Sequence, residues 1–219
     1  MARRAVLFSN GEMPKASLIL PLLRTDDTLI AVDGGLRHLR NLYKTPQLLI
    51  GDLDSVTADE VSQAESQGIE IRRFKIDKDE TDLELALLAA AEKGFDEIML
   101  VAALGGRLDQ TLANLYLLML PELATIKVTI ESGREEIFII RDRVEIHGTP
   151  GDIVSLIPLA GQTTGVETRS LKYPLRKENL LPERTRGISN VMLTDLAGVS
   201  IQSGCLLCIH TRNQIKEEK

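Results

Sequence analysis

Short apolar runs alternate with helix-like segments through the first half of the chain, and this alternation restricts the fold more than any other feature. The runs are typical of buried strands, and the segments between them have the spacing and the terminal glycines of helices. The predicted strands are 5–9, 29–32, 48–50, 69–74 and 98–104, and the predicted helices are 15–24, 36–42, 58–67, 82–93 and 110–120. Such alternation predicts an α/β fold with a doubly wound, mainly parallel sheet and helices on both faces.

From about residue 125 the pattern changes to short β-like pieces separated by Gly, Pro and Asp turns. The predicted strands are 126–131, 136–140, 143–147, 153–157, 165–168, 188–193, 198–202 and 205–210. A run of strands without helices predicts a small C-terminal antiparallel β-sandwich. We therefore expect an α/β domain over residues 1–124 and a β-sandwich domain over residues 125–219, and 43% hydrophobic residues are enough for both cores.

Charge and hydropathy exclude several classes of protein. The formal net charge of −6 argues against unspecific binding of nucleic acid. No apolar run has membrane-spanning length, and Met1 to Arg4 lead directly into a predicted strand instead of a signal-peptide core. We expect a cytoplasmic protein without a membrane partner. Cys205 and Cys208 lie in an apolar strand and have no second pair, which argues against a zinc or redox motif.

Acidic residues recur immediately after the predicted strands. Asp33 follows the second strand, Asp52 and Asp54 the third, Asp79 and Asp82 the fourth, and Asp109 the fifth. The carboxyl ends of the strands in a doubly wound sheet share one edge, so these side chains are candidates for a single cleft. Carboxylates brought together repel one another unless they share a proton or a cation, which favours a divalent metal ion there.

Each acid also has a structural alternative. The Gly51 to Ser55 segment has the composition of an ordinary turn. Thr81 and Glu84 have the spacing of a capping box, in which Asp82 is simply an acid favoured in the first turn of a helix. Asp109 has the position of an N-cap for the following helix. The repetition after successive strands favours a functional cluster over these separate explanations.

Two cations indicate what the acids are for. Lys78 and Arg107 each precede a predicted helix start, where main-chain N–H groups attract anions. Gly105 and Gly106 allow a phosphate to approach the backbone, and an arginine can hold it with two hydrogen bonds. Acids for Mg²⁺ and cations for phosphate predict a metal–nucleotide site, although neither common glycine-rich nucleotide motif is present. The alternative for either cation is a surface ion pair.

Several motifs in this order resemble the signature of thiamine pyrophosphokinases. They are Asp33-Gly34-Gly35, Gly51-Asp52-Leu53-Asp54-Ser55, Lys78-Asp79-Glu80-Thr81-Asp82, Gly105-Gly106-Arg107-Leu108-Asp109-Gln110, Leu171-Lys172-Tyr173-Pro174-Leu175 and Gly187-Ile188-Ser189-Asn190. The resemblance spans nearly the whole chain. It implies an enzyme that moves a pyrophosphoryl group from ATP to the hydroxyl of thiamine, giving thiamine diphosphate and AMP, and a homodimer with active sites at the subunit interface.

The resemblance also implies roles for individual residues. Asp33, Asp52, Asp54 and Asp82 would form the acidic catalytic site, with Mg²⁺ on Asp52, Asp54 and Asp82. Lys78, Asp79, Thr81, Arg107 and Asp109 would help to hold ATP, and Asp82, Ser189 and Asn190 would meet thiamine. Without the resemblance, Ser189 and Asn190 read as a β-turn.

Two alternatives stay open at this point. Val191 stands where many bacterial relatives have an acid, which leaves room for a related transferase that acts on another primary alcohol. A nucleotide-binding protein without catalysis is the second alternative, and the intact set of acids counts against it. The helix predicted over 110–120 is apolar nearly all round, so it is either enclosed by the chain or covered by a second subunit, and we favour the second subunit.

Overall fold

The computed structural model describes residues 2–75 and 79–213. Contacts within the chain divide it into two units, Met1–Gly133 and Arg134–Lys219. The boundary falls later than the sequence indicated, because the strand Lys127–Glu131 pairs in parallel with Glu97–Val101 and stays with the first unit. Among the described residues, no helix is both long enough and apolar enough to cross a membrane.

The first unit contains the predicted parallel sheet. Its strands are β1 (Arg4–Phe8), β2 (Thr28–Val32), β3 (Leu48–Gly51), β4 (Glu70–Arg73), β5 (Glu97–Val101) and β6 (Lys127–Glu131). They lie in the order β6-β5-β1-β2-β3-β4, and all these neighbours are parallel. The chain proceeds from β1 to β2 on one side and returns to β5 on the other. The strand order therefore reverses beside β1.

The helices of this unit begin and end close to the predicted positions. They are α1 (Ala16–Ile19), α2 (Gly35–Asn41), α3 (Ala58–Ser66), α4 (Asp82–Glu92) and α5 (Leu108–Leu117). The predicted helix 15–24 is shorter than expected, because Pro21 lies in a 3-10 turn that follows Ile19. Thr57 and Thr81 cap α3 and α4 by accepting hydrogen bonds from the main-chain N–H groups of Glu60 and Glu84.

The second unit is the predicted antiparallel sandwich. Its strands are β7 (Glu135–Ile140), β8 (Arg143–His147), β9 (Ile153–Pro158), β10 (Thr163–Arg169), β11 (Arg176–Leu180), β12 (Asn190–Val191), β13 (Leu196–Ser200) and β14 (Leu206–Thr211). One sheet has the order β12-β9-β14-β7 and the other β11-β10-β13-β8. Apolar side chains from both sheets, such as Leu156 and Cys208 from the first and Val166 and Val199 from the second, share one buried core.

Candidate active site

A cavity of about 670 Å³ opens where the strand order of the first unit reverses, at the carboxyl ends of β1 and β5. This position is where open α/β sheets bind ligands. Residues from the segments after β1, β2, β3 and β5 and from the start of α4 line it. Gly35 allows α2 to begin against β1, since a Cβ there would lie 1.8 Å from the carbonyl oxygen of Phe8. Close packing of α2 keeps the segment after β2 at the cavity.

Three of the predicted acids form a compact cluster at this edge of the sheet. Carboxylate oxygens of Asp33, Asp52 and Asp54 all lie within 4.8 Å of one another. Asp33 Oδ1 is buried without a hydrogen-bond partner among the residues that the structure describes. A buried carboxylate oxygen without a donor is costly unless a cation binds it, so the cluster has the donor set of a divalent metal site.

Backbone strain is concentrated at the same strand ends. Asp33, Leu53 and Ala102 follow β2, β3 and β5, and all three have positive φ, at 47°, 64° and 55°. Such conformations cost free energy for residues other than glycine and are often found at functional sites. The turn after β3 is closed by the main-chain N–H of Asp54, which donates to Asp52 Oδ1 at 3.0 Å. The strained turns bring Asp52 and Asp54 together although β3 has already ended at Gly51.

Asp82 belongs both to the first turn of a helix and to the lining of the cavity. It lies in the first turn of α4, as the capping-box alternative required, and its Oδ1 accepts a hydrogen bond from the main-chain N–H of Asp52 at 3.1 Å. Both Thr81 and Asp82 line the cavity. Asp82 therefore joins the start of α4 to the acidic turn. The group of three carboxylates close enough to share an ion contains Asp33, in contrast to the predicted metal set of Asp52, Asp54 and Asp82.

Arg107 lines the cavity and is paired with an acid. Its guanidinium donates two hydrogen bonds to Asp109, of 3.1 Å from Nε and 2.5 Å from Nη2, and both side chains are exposed. These hydrogen bonds lower the pKa of Asp109 and raise that of Arg107. Arg107 is also the N-cap residue of α5, so Asp109 lies in the first turn and is not the N-cap. Arg107 therefore forms the surface ion pair of the structural alternative and also lines the cavity.

Other cavity residues were missed from the sequence. Asn10, Gly11 and Glu12 follow β1 and line the cavity, and Asn114 is buried in α5, where its amide donates to the carbonyl oxygen of Ala103 at 2.7 Å. Polar residues after the first strand repeat the pattern seen after the other strands, which is the signal that could have identified them. Asn114 is a polar residue within the mostly apolar run from Leu112 to Leu120, which is a further signal.

The C-terminal motifs meet in the second unit. The Asn190 amide accepts a hydrogen bond from the main-chain N–H of Tyr173 at 2.9 Å and donates one to its carbonyl oxygen at 2.7 Å. The side chain of Asn190 is buried by this pairing. Ser189 is exposed, has a φ of 58° and donates its main-chain N–H to Ser155 Oγ at 3.0 Å. Asn190 therefore shapes a surface on which Ser189 is accessible.

A buried ion pair holds the loop between β8 and β9 in the same unit. Asp152 Oδ2 lies 3.1 Å from His210 Nε2, and both side chains are nearly inaccessible. Asp152 also accepts hydrogen bonds from Thr149 and from the main-chain N–H of Asn213. The main-chain carbonyl oxygen of Asp152 accepts a hydrogen bond from the main-chain N–H of Met192 at 2.8 Å, which joins this loop to the residue that follows β12.

The two partners of this pair have opposite pKa shifts. Burial alone would lower the pKa of His210, but Glu136 and Asp152 outweigh it and raise the pKa above the ordinary value of 6.5. Burial alone would raise the pKa of Asp152, but hydrogen bonds from Asn213, Thr149 and His210 lower it below 3.8. Arg212 Nη2 lies 3.7 Å from Glu136 Oε2. Its positive charge acts in the opposite direction and lowers the pKa of His210.

We expect the stability of the second unit to fall as the pH rises above 6.5. The contribution of charged His210 is complete below that ordinary value and is lost as the pH rises through the raised pKa of the folded state. The contribution of Asp152 is lost only as the pH falls through its lowered pKa. Urea unfolding of the parent and of His210→Gln at a series of pH values measures the slope. His147→Gln is the control, because His147 is exposed. If the free energy of unfolding of His210→Gln had the same slope against pH as the parent, the expectation would be contradicted.

Of the predicted site residues, the cavity brings together Asp33, Asp52, Thr81, Asp82 and Arg107, and Asp54 joins them through the acidic cluster. Asp79 and Asp109 are exposed and are not among the described residues that line the cavity. Ser189 and Asn190 belong to the second unit. The predicted ATP ligand Lys78 lies outside the described residues.

Comparison with known proteins identifies two family profiles in the chain. Residues 20–130 match the catalytic domain of thiamin pyrophosphokinase, and residues 139–206 match the vitamin B1 binding domain of the same family. Curated relatives include thiamine pyrophosphokinase of Bacillus subtilis (strain 168), which is 28% identical over 83% of this chain and 86% of the relative. Thiamine pyrophosphokinase 1 of Oryza sativa subsp. japonica is 25% identical over 80% of this chain and 70% of the relative.

Solved structures show the same fold. The crystal structure of thiamine pyrophosphokinase from Bacillus subtilis has a TM-score of 0.86 at 25% identity and covers 96% of this chain and 100% of that one. Yeast thiamin pyrophosphokinase has a TM-score of 0.78 at 18% identity, with 96% of this chain and 86% of that one covered. The α/β unit and the antiparallel sandwich are therefore both shared with solved structures.

Proposed function

Because the chain belongs to the thiamine pyrophosphokinase family, we propose that it transfers a pyrophosphoryl group from ATP to the hydroxyl of thiamine, giving thiamine diphosphate and AMP. The observation that carries the ATP and Mg²⁺ part of the proposal is the common location of the acidic cluster and Arg107. Asp33, Asp52 and Arg107 line one cavity at the reversal point of the sheet, within the part of the chain that matches the catalytic domain.

The residues present fit a Mg²⁺ ion. Asp33, Asp52 and Asp54 offer carboxylate oxygens close together, and the buried Asp33 oxygen has no hydrogen-bond partner among the described residues. Asp82 is hydrogen-bonded to the same turn and can orient it or supply a further oxygen. Bound Mg²⁺ would supply positive charge to neutralise the transferring phosphates. Hard oxygen ligands of this kind are the ones that Mg²⁺ prefers.

The chain's own residues supply binding, orientation and a proton acceptor in this proposal. The thiamine hydroxyl oxygen attacks the β-phosphorus of ATP in line, a P–O bond to AMP breaks, and AMP leaves with the electron pair. Arg107 holds phosphate oxygens with two hydrogen bonds, in place of those it makes to Asp109. The first turn of α5 adds main-chain N–H groups. A carboxylate of the acidic cluster accepts the hydroxyl proton.

The proposed thiamine surface is the one shaped by Asn190 in the second unit. Because the Asn190 amide is occupied by the main chain of Tyr173, we propose that Asn190 acts by holding the segment and that Ser189 meets thiamine directly. Tyr173 and Ile188 are 52% and 45% exposed beside it and offer apolar area for an organic ring. The match of residues 139–206 to a vitamin B1 binding domain supports this placement of the thiamine surface.

The assay that tests the proposal is incubation of the purified protein with ATP, Mg²⁺ and thiamine while AMP and thiamine diphosphate are followed together. We expect the two products in equal amounts and none in EDTA or without thiamine. Thiamine-independent release of ADP would mean simple ATP hydrolysis and would contradict the proposal. A panel of other primary alcohols tests the acceptor, since product from one of them and not from thiamine would assign a related transferase.

We further propose that the protein is a homodimer formed through α5. Leu108, Leu112 and Tyr116 lie one helical turn apart along this helix, and their side chains are 72%, 47% and 51% exposed. A continuous apolar stripe exposed on a helix is typical of a surface that another subunit covers. Because the N-cap residue of α5, Arg107, lines the cavity, the proposed interface starts at the edge of the cavity.

The variant Leu112→Glu is expected to weaken dimerisation by at least about 10-fold, since it places a charge in the middle of the apolar stripe. Sedimentation velocity over a concentration series measures the change. Tyr43→Glu is the matched control, because Tyr43 is a 97% exposed aromatic residue that belongs to the turn after α2 and not to α5. A monomeric parent protein at all concentrations would overturn the dimer proposal without affecting the reaction.

A further inference from the structure

The residues that follow β1 are hydrogen-bonded to the last residue of β5 and to the residues that follow it. Three main-chain hydrogen bonds join them, from Ser9 to Val101 at 2.9 Å, from Gly11 to Ala102 at 2.8 Å and from Glu12 to Leu104 at 2.9 Å. The last of these fixes the main chain of Glu12 beside the turn that leads to Arg107. The main chain of Glu12 is therefore held by hydrogen bonds that continue beyond the paired ends of β1 and β5.

The side chain of Glu12 closes that turn. Its Oε1 accepts a hydrogen bond from the main-chain N–H of Gly106 at 2.9 Å. Gly105 makes the approach possible, since a Cβ there would lie 2.5 to 2.7 Å from three carbons of the Glu12 side chain. Gly105 also has a φ of 83°, which glycine adopts without strain. The turn and the glutamate are shaped to each other.

We propose that Glu12 is a positioning residue for pyrophosphoryl transfer, whose side-chain oxygen holds the Gly105–Gly106 turn so that Arg107 and the start of α5 face the phosphates. This inference rests on the proposed function of the cavity. Glu12 lines the cavity together with Gly105, Gly106 and Arg107, so a displaced turn would change the phosphate side of the site. Glu12 lies outside the group of three carboxylates that can share an ion.

What the turn requires from position 12 is a hydrogen-bond acceptor at the right distance, not a negative charge. A glutamine keeps a side-chain oxygen at that distance and removes the charge. An aspartate keeps the charge but is one methylene shorter, so its oxygens fall short of the Gly106 N–H. These two variants separate positioning from a role as metal ligand or general base, for which charge is indispensable.

The experiment compares Glu12→Gln, Glu12→Asp and Glu12→Ala in steady-state assays with ATP and thiamine varied separately. We expect Glu12→Ala and Glu12→Asp to raise KM for ATP about 10-fold and to leave KM for thiamine unchanged, because only the phosphate side of the site is displaced. Glu12→Gln is expected to stay within about threefold of the parent. Glu65→Ala, an exposed acid on α3, is the control.

Two results would overturn the inference. One is a Glu12→Gln variant as impaired as Glu12→Ala while Glu12→Asp is normal, which would make charge the essential property. The other is an equal rise of KM for both substrates, which would indicate a general loss of structure. Calorimetric titration of each variant with ATP and Mg²⁺ keeps the test independent of the reaction. If the parent forms no thiamine diphosphate, the same order of ATP affinities still supports the role of Glu12, and equal affinities reject it.

Discussion

The Asp33→Asn variant is expected to lower kcat about 100-fold or more while leaving the metal-free protein at least as stable as the parent. Asparagine has nearly the shape of aspartate but lacks its charge. In the absence of a cation, removing one of three neighbouring carboxylates relieves repulsion, and the unpartnered buried oxygen of Asp33 no longer carries a negative charge. With Mg²⁺ and ATP present, the same change removes one of the proposed metal ligands. Mutation of residues that only hydrogen-bond to a metal ligand already lowers metal affinity or activity about 10- to 100-fold.

The measurement is the thermal midpoint of parent and variant with EDTA and with millimolar Mg²⁺, together with kcat. We expect Mg²⁺ to raise the midpoint of the parent, since an ion that binds only the folded state stabilises it, and to leave the variant unchanged. Asp59→Asn, an exposed acid in the first turn of α3, is the control and should respond as the parent does. A variant that kept its response to Mg²⁺ and its kcat would remove Asp33 from the metal site.

The Asp152→Ala variant is expected to lose about 3–5 kcal/mol of stability in the second unit, the range found when one partner of a buried ion pair is removed. The change leaves His210 without its buried counterion and takes the acceptor from Thr149 and from the main chain of Asn213. Loss of these contacts frees the loop that is hydrogen-bonded to Met192, next to the strand with Asn190. The proposed thiamine surface should therefore weaken together with stability.

Urea unfolding followed by circular dichroism measures the loss. Asp142→Ala is the matched control, because Asp142 is a highly exposed aspartate of the same unit that lies 3.9 Å from the equally exposed Arg143. Surface pairs of that kind contribute little, so the control should stay within about 0.5 kcal/mol of the parent. A loss in Asp152→Ala no larger than in the control would show that the buried pair is not a stabilising element.

Much of the fold and part of the site could be predicted because parallel strands place their carboxyl ends at one edge. Apolar runs identify the strands, the alternation with helices makes them parallel, and the residue after each run then has a known place. Asp33, Asp52 and Asp82 were found in this way, and all three line the cavity. The short turn after β3 also follows from its composition, since Gly, Asp and Ser favour turns.

The remaining features depend on contacts between distant parts of the chain, which periodicity does not report. The role proposed for Glu12 requires β1 to lie beside β5. The order of strands in a sheet cannot be predicted from the sequence of any single strand. Asp152 and His210 are 58 residues apart in the sequence, so the position of the histidine alone did not predict their ion pair. Strand β11 has the sequence RKENL, whose charges suit an edge strand but hide the alternation expected of a half-buried one.

The left-handed backbone of Asp33 limits which residues can replace it. Among residues with a Cβ, aspartate and asparagine adopt that conformation most readily, and only aspartate combines it with a charged oxygen ligand. Glutamate also has a charged oxygen, but it adopts a left-handed backbone less readily than aspartate, so its introduction at position 33 would cost stability. The range of residues that position 33 can accept is therefore set by main-chain conformation as much as by chemistry.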